Sequence, residues 1–227
     1  MTTIKSKCRN LVLALLASAI SFSAQATNLL TEGFDNVGAL PGAGWTFQNK
    51  STTGLFPLGS WFQGNSGIFN SQGGAPDSYI ASDFNAAPNG GTLDLRLITP
   101  SFSLASNVAL TFWARADIIP DSIYLDQFSV DLLSFTNGVL SSTTNIVGTT
   151  TGTFDWSQFT RSITAQGAGA TGQLSFRYFG SADNANYLGF DTLSIDTVPA
   201  RVPEPESIAL MALGLVALAL RRRKSAS

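Results

Sequence analysis

Through the middle of the chain, apolar and polar residues alternate with a period of two. In Val108–Arg115, Val108, Leu110 and Phe112 fall on one side, and Thr111, Trp113 and Arg115 on the other. Gln127–Ser134 sets Phe128, Val130 and Leu132 against Ser129 and Asp131, and Gln173–Phe179 repeats the pattern with Leu174, Phe176 and Tyr178. Successive side chains of an extended strand point to opposite faces, so this spacing predicts strands with one buried and one wet face. In Tyr187–Ile195 the phase changes midway, from Leu188 and Phe190 to Leu193 and Ile195. Turn formers separate such runs: Pro41-Gly42-Ala43-Gly44, Gly73-Gly74-Ala75-Pro76, Asn89-Gly90-Gly91, Asn137-Gly138 and Gly167-Ala168-Gly169. Between the two ends of the chain no run carries the 3.6-residue period of an amphipathic helix. The fold class predicted is all-β, an antiparallel β-sandwich built from roughly ten short strands.

The two ends follow other rules. Lys5, Lys7 and Arg9 precede the apolar stretch Leu11–Ile20, and Ala24-Gln25-Ala26 places small residues where signal peptidase needs them. Residues 1–26 therefore read as a signal peptide cut after Ala26. It carries Cys8, the one cysteine of the chain, so the exported body holds no disulfide. At the other end Ile208–Leu220 is uncharged and is followed at once by Arg221, Arg222, Arg223 and Lys224. As a helix these thirteen residues reach about 20 Å, short of the roughly 30 Å of a bilayer core, and the basic block holds its end on the cytoplasmic side. Pro203 and Pro205 bar a helix from continuing upstream, and Glu204 and Glu206 suit a helix N-terminus. Residues 197–202 read as a linker, and 203–227 as a membrane-inserting tail held only for a time.

The Pro203-Glu204-Pro205 triplet, the apolar run 208–220 and Arg221-Arg222-Arg223, in that order, resemble the PEP-CTERM sorting signal of Gram-negative bacteria. The resemblance implies an exosortase as partner. The exported protein is parked in the inner membrane, cut near the triplet and passed to the cell surface or the extracellular space. It also implies a setting of exopolysaccharide and biofilm.

Between the two ends lies a body, residues 27–196, long enough for one well-filled core. The whole chain has a formal net charge of −2. From Thr27 to Arg201, however, thirteen acidic residues face six basic ones, a net charge near −7. That balance speaks against nucleic acid and anionic membrane surfaces as partners. It is compatible with calcium or with neutral polymers such as glycans.

A second resemblance rests on landmarks along this body: Glu32-Gly33-Phe34-Asp35-Asn36, Trp45, Trp61-Phe62-Gln63-Gly64-Asn65, Ser78-Tyr79-Ile80-Ala81, Leu97-Ile98-Thr99-Pro100, Leu110–Arg115, Asp126, Trp156, Phe176-Arg177-Tyr178 and Asn186–Asp191. Their order is similar to that of the choice-of-anchor J domain and the related cleaved-adhesin domains. The resemblance implies a jelly-roll sandwich on a surface protein. Where that family commonly has a tryptophan just before the Leu-Ile-Thr-Pro stretch, this chain has Arg96.

The chain contains no histidine, which excludes a Ser-His-Asp triad, a histidine zinc site and a facial triad; a body without cysteine excludes thiol catalysis. Paired carboxylates could still hydrolyse glycosides, and Asp117 with Asp121 and Asp126 with Asp131 are the pairs near in sequence. Their plainer reading is surface charge, and the reading adopted is a non-enzyme. Glu32 and Asp35 at the first strand and Asp191 at the last could clamp a structural calcium if those strands run side by side. The alternative is that these carboxylates only end a strand and cap a turn. Among the aromatics Trp45, Trp61, Phe62, Trp113, Tyr124, Trp156 and Tyr187, the ones expected to be most open, and so able to stack on sugar, are Trp61 and Tyr124. The function expected is adhesive or structural in matrix exopolysaccharide. A carbohydrate-binding module is the alternative.

Overall fold

Alternation of apolar and polar residues becomes two antiparallel sheets packed face to face. The computed structural model describes residues 25–53, 59–199 and Gly214, so the signal peptide through Ala24, the sorting-signal residues 203–205 and 221–223, and nearly all of the proposed membrane helix 208–220 lie outside the described residues. The described body carries twelve strands: β1 (Asn28–Glu32), β2 (Thr46–Asn49), β3 (Phe62–Gln63), β4 (Ile80–Asp83), β5 (Thr92–Ile98), β6 (Phe102–Ser103), β7 (Val108–Ala116), β8 (Asp126–Thr136), β9 (Val139–Gly152), β10 (Phe154–Ile163), β11 (Ala170–Ser181) and β12 (Tyr187–Thr197). One sheet, here sheet A, runs β10-β7-β12-β4-β3, with β1 also paired to β12; sheet B runs β2-β5-β11-β8-β9, with β6 also paired to β11.

Between the sheets lies the core. Leu93, Leu95 and Leu97 of β5, Phe128 and Val130 of β8, and Leu174, Phe176 and Tyr178 of β11 face Leu110 and Phe112 of β7 and Leu188 and Phe190 of β12. Phe112, Phe128, Phe176 and Phe190 meet edge-on or tilted at centroid distances of 5.0–6.4 Å. Such edge-to-face pairs bring a ring's positive rim to its neighbour's negative face.

The phase change in the last strand is a bulge. The β12–β7 register shifts between Asp191 and Ser194, and Thr192 takes a positive φ of 48°. One extra residue returns Leu193 and Ile195 to the core side that Leu188 and Phe190 occupy. The β8–β9 hairpin turns at Asn137 and Gly138, with φ of 52° and 77°. Asn-Gly favours such a turn because both central residues must be left-handed.

Candidate ligand face and its surroundings

The outer faces of the two sheets differ. On sheet B, alternation sends Asp94, Arg96 and Ile98 of β5 and Ser175, Arg177 and Phe179 of β11 away from the core. Register then lays them out as a grid. One row reads Gln48, Arg96, Arg177, Ser129, and the next across places Asp94 beside Phe179. Lys50, just past β2, donates its main-chain N–H to the Asp94 carbonyl at 2.8 Å.

Asp94 organises this face. Arg177 Nε donates to Asp94 Oδ1 at 2.7 Å, and Arg96 Nε lies 3.4 Å from the same oxygen. The Arg96 contact is an ion pair without hydrogen-bond alignment, since Arg96 Nε makes no hydrogen bond. Partial burial pushes the Asp94 carboxyl up. The hydrogen bond and charge of Arg177, together with the charge of Arg96, outweigh that and hold it below the usual aspartate value. The Arg177 guanidinium also lies over the Phe179 ring, 4.5 Å from its centroid. One row further, Ser175 is 1% exposed and its Oγ has no hydrogen-bond partner among the described residues. Beyond it, Asn145 Nδ2 donates to Asp131 Oδ1 at 2.8 Å.

Sheet A presents a covered face instead. Residues 64–78 lie over it on a second aromatic cluster of Phe69, Tyr79 and Tyr187, with Phe62 and Trp156 packed alongside. Phe69 stacks on Tyr79 at 4.9 Å and meets Tyr187 and Trp156 edge-on at 5.2 and 5.6 Å. The two tyrosine hydroxyls, 3.2 Å apart, both accept from Asn65 N, and Tyr79 Oη donates to the Asn65 or Phe69 carbonyl. Trp156 Nε1 donates to Asn70 O at 2.8 Å, and the Arg115 guanidinium sits 4.5 Å from the Phe69 centroid. Gly64 is required here, because a Cβ would stand 2.2 Å from the Tyr79 ring.

Several sequence expectations need correcting against these positions. Trp61 is not an open ring: it is 5% exposed, belongs to the main core and packs 5.8 Å from Phe190. Two bulky aromatics in succession left its face ambiguous, and the pairing of Phe62 with Ala81 turns Phe62 outward and Trp61 inward. Tyr124 is exposed, but its neighbours Ile118, Ile119, Ile123 and Leu125 are exposed as well, with Ile123 at 77%. This apolar loop stands on a fixed base. Asp117 N donates to Tyr187 O at 3.0 Å, and Leu125 N to Asn184 O at 2.7 Å.

The first and last strands do run side by side, with Glu32 opposite Leu193. Of the three carboxylates proposed to clamp calcium, Glu32 and Asp191 already accept main-chain N–H groups. Asp191 is fully buried and accepts main-chain N–H groups, from Gln72 at 2.7 Å and Gly73 at 3.1 Å on one oxygen and from Thr192 at 2.6 Å on the other. Burial pushes its carboxyl up, and these amide bonds pull against that shift. Glu32 Oε1 takes the Phe34 N–H at 2.7 Å, while Asp35 is exposed. Among the described residues no group of three acidic, histidine or cysteine side chains is disposed to hold a metal ion. The Asp191 carboxylate fastens residues 72–73 to the sheet.

Neither sequence pair of carboxylates forms a catalytic pair. Asp126 is buried, accepting Tyr178 Oη at 2.6 Å, Asn186 N at 2.9 Å and Tyr187 N at 3.3 Å, whereas Asp131 lies on the opposite, outer side of β8. Burial drives the Asp126 carboxyl up despite these donors. Asp117 bonds Asn186 Nδ2 at 2.9 Å, and Asp121 lies in the exposed loop. The sequence did hold a sign of the buried role, since Asp126 has the same parity as Phe128 and Val130.

Among solved structures, the carbohydrate-binding module TmCBM61 in complex with β-1,4-galactotriose matches with a TM-score of 0.50 at 13% identity, over 76% of this chain and 99% of that one. This likeness shows the shared fold. The K1 cleaved adhesin domain of Lys-gingipain from Porphyromonas gingivalis W83 matches at 0.49 and 25% identity, over 76% and 99%. The CBM22-1 xylan-binding domain of Xyn10C from Paenibacillus barcinonensis matches at 0.45 and 12%, over 78% and 99%. No curated protein matches the chain. Residues 201–224 match the PEP-CTERM protein-sorting motif. The chain therefore joins an all-β two-sheet body to a PEP-CTERM sorting motif, which marks an exported protein handled by an exosortase through a membrane-anchored intermediate.

Proposed function

We propose that the body acts after sorting as a non-enzymatic module that holds polysaccharide of the extracellular matrix through the outer face of sheet B. The observation that carries this reading is the grid of half-buried Gln48, Arg96, Arg177, Asp94 and Phe179 on that outer face. Planar amides and guanidinium groups beside a ring supply the hydrogen bonds and flat apolar surface by which sugars are gripped. The face is fixed before any ligand arrives, because strand pairing and the Asp94 ion pairs hold its side chains in place, which lowers the ordering cost of binding. The fold shared with TmCBM61 is compatible with this role, though the support comes from the face itself. Purified full-length protein in mild detergent should retard on gels containing matrix polysaccharide. Arg177→Ala should abolish the retardation, and equal mobility with and without polysaccharide would refute the reading.

A second reading, adhesion to a protein partner, is favoured by one observation. Ile118, Ile119, Ile123, Tyr124 and Leu125 are all exposed on one loop with a pinned base. Patches of that kind mark protein contacts.

A further inference from the structure

We infer that the polysaccharide held on sheet B is an acidic one, its carboxylates seated on the terminal guanidinium nitrogens of Arg96 and Arg177. The inference rests on the glycan-binding reading above and deepens it. Arg96 and Arg177 are direct cross-strand partners. Like charges placed opposite one another in a sheet repel, so the arrangement costs stability unless an anion lies between them. The protein supplies one. Asp94 Oδ1 meets Arg177 Nε at 2.7 Å and Arg96 Nε at 3.4 Å, so two cations share a single carboxylate oxygen.

Each guanidinium spends no more than its Nε on that carboxylate. Among the described residues, no protein oxygen accepts from the terminal nitrogens of either arginine. Those nitrogens form the fork that grips a planar carboxylate with two parallel hydrogen bonds. Both side chains are partly covered, at 27% and 32% exposure, so a carboxylate placed there is screened less than one on open surface. Gln48, half-buried at one end of the same row, offers a neutral partner for a sugar hydroxyl.

The distribution of charge over the body points the same way. Lys50, Arg96 and Arg177 lie on or beside this face with Asp94 and Asp131, giving three cations to two carboxylates. The rest of the described body has two cations, Arg115 and Arg161, to eleven carboxylates. An anionic chain therefore finds one face where the local field is attractive, and is turned away elsewhere.

The test is calorimetric titration of the purified full-length protein with oligogalacturonate, beside a neutral β-1,4-galactan oligosaccharide of equal length. Oligogalacturonate should bind at least tenfold more tightly than the galactan. Arg96→Gln should remove that preference while moving the melting temperature by no more than about 2 °C, as expected for a partly exposed side chain. Equal affinity for the two sugars, or a preference that survives Arg96→Gln, would overturn the acidic assignment and leave glycan binding standing. Binding of neither sugar, by either protein, would sink both.

Discussion

The outer faces of the two sheets are built from similar raw material and put to opposite uses. On sheet A, the segment 64–78 brings Phe69 down over Tyr79 and Tyr187 with the half-buried Trp156 alongside, and the hydroxyl and indole donors are matched there. Sheet B leaves Phe179 beside Arg177 and Asp94, where Arg177 Nε is matched by Asp94 and its terminal nitrogens have no acceptor among the described residues. The contrast shows that an aromatic-rich face is no sign of a sugar site by itself. Rings whose polar atoms are already satisfied by their own chain serve stability. Unmatched donors next to a ring are what a ligand can use.

Substitutions can break this contrast, beginning with the largest expected effect. Gly64→Ala forces a Cβ to within 2.2 Å of the Tyr79 ring and should destabilise the body by about 3–4 kcal/mol. For a domain of this length that lowers the melting temperature by about 6–16 °C. Binding to sheet B should be unchanged at temperatures where the variant stays folded. A Gly64→Ala protein that melts like wild type would show that residues 64–78 do not grip the sheet.

Asp126→Ala should cost about 2–3 kcal/mol, since Tyr178 Oη and the N–H groups of Asn186 and Tyr187 lose their shared acceptor. Chemical denaturation measures this as a lower midpoint at unchanged slope. A loss below about 0.5 kcal/mol would mean that water replaces the carboxylate freely, which a buried site should not permit.

The smallest effect sharpens the comparison through pH. Asp94 has its folded pKa held below the unfolded value of 3.8, so it contributes stability above that value and loses it as pH falls through the folded pKa. Asp126 and Asp191 are shifted the other way. Burial raises their folded pKa values, so the folded state binds protons more readily and their contribution improves as pH falls toward 3.8. Asp94→Asn should therefore cost under about 1 kcal/mol at pH 7, as befits a partly exposed ion pair. The difference from wild type should shrink as pH falls below about 4. A gap that stays constant down to pH 2 would show that Asp94 acts there by shape and not by charge.

The pattern of residues made much of this legible. Period-two alternation placed the core side of β7, β8 and β11, and the phase slip after Phe190 marked the bulge that carries Thr192 at positive φ. Trp61 is turned into the main core by strand pairing, whereas Asp191 owes its burial to a loop. A sequence shows a residue's chemical type but not which partners a loop brings to it. Residues 64–78 return over β4 and β12, so Tyr187, Gly189 and Asp191, on the outward side of β12, end up buried. Alternation predicts which way a side chain points, and only the path of the loop decides whether water waits there.

By itself, the chain determined those features whose physics is local or statistical. Strand phase follows from the pleat, turn positions from residues that tolerate left-handed backbone, and the exclusion of histidine and thiol chemistry from composition. The sorting motif is equally a matter of sequence, read by a partner as a linear signal. Tertiary structure decided everything that depends on residues far apart meeting. Arg96 and Arg177 stand 81 positions apart, yet strand pairing sets them opposite one another with Asp94 between. Asp191 and residues 72–73 are 118 or more positions apart, and their hydrogen bonds clasp that segment to the sheet. Register fixes which charges neighbour which, and no local rule carries that information, because long-range pairing is chosen by the burial of the whole core at once.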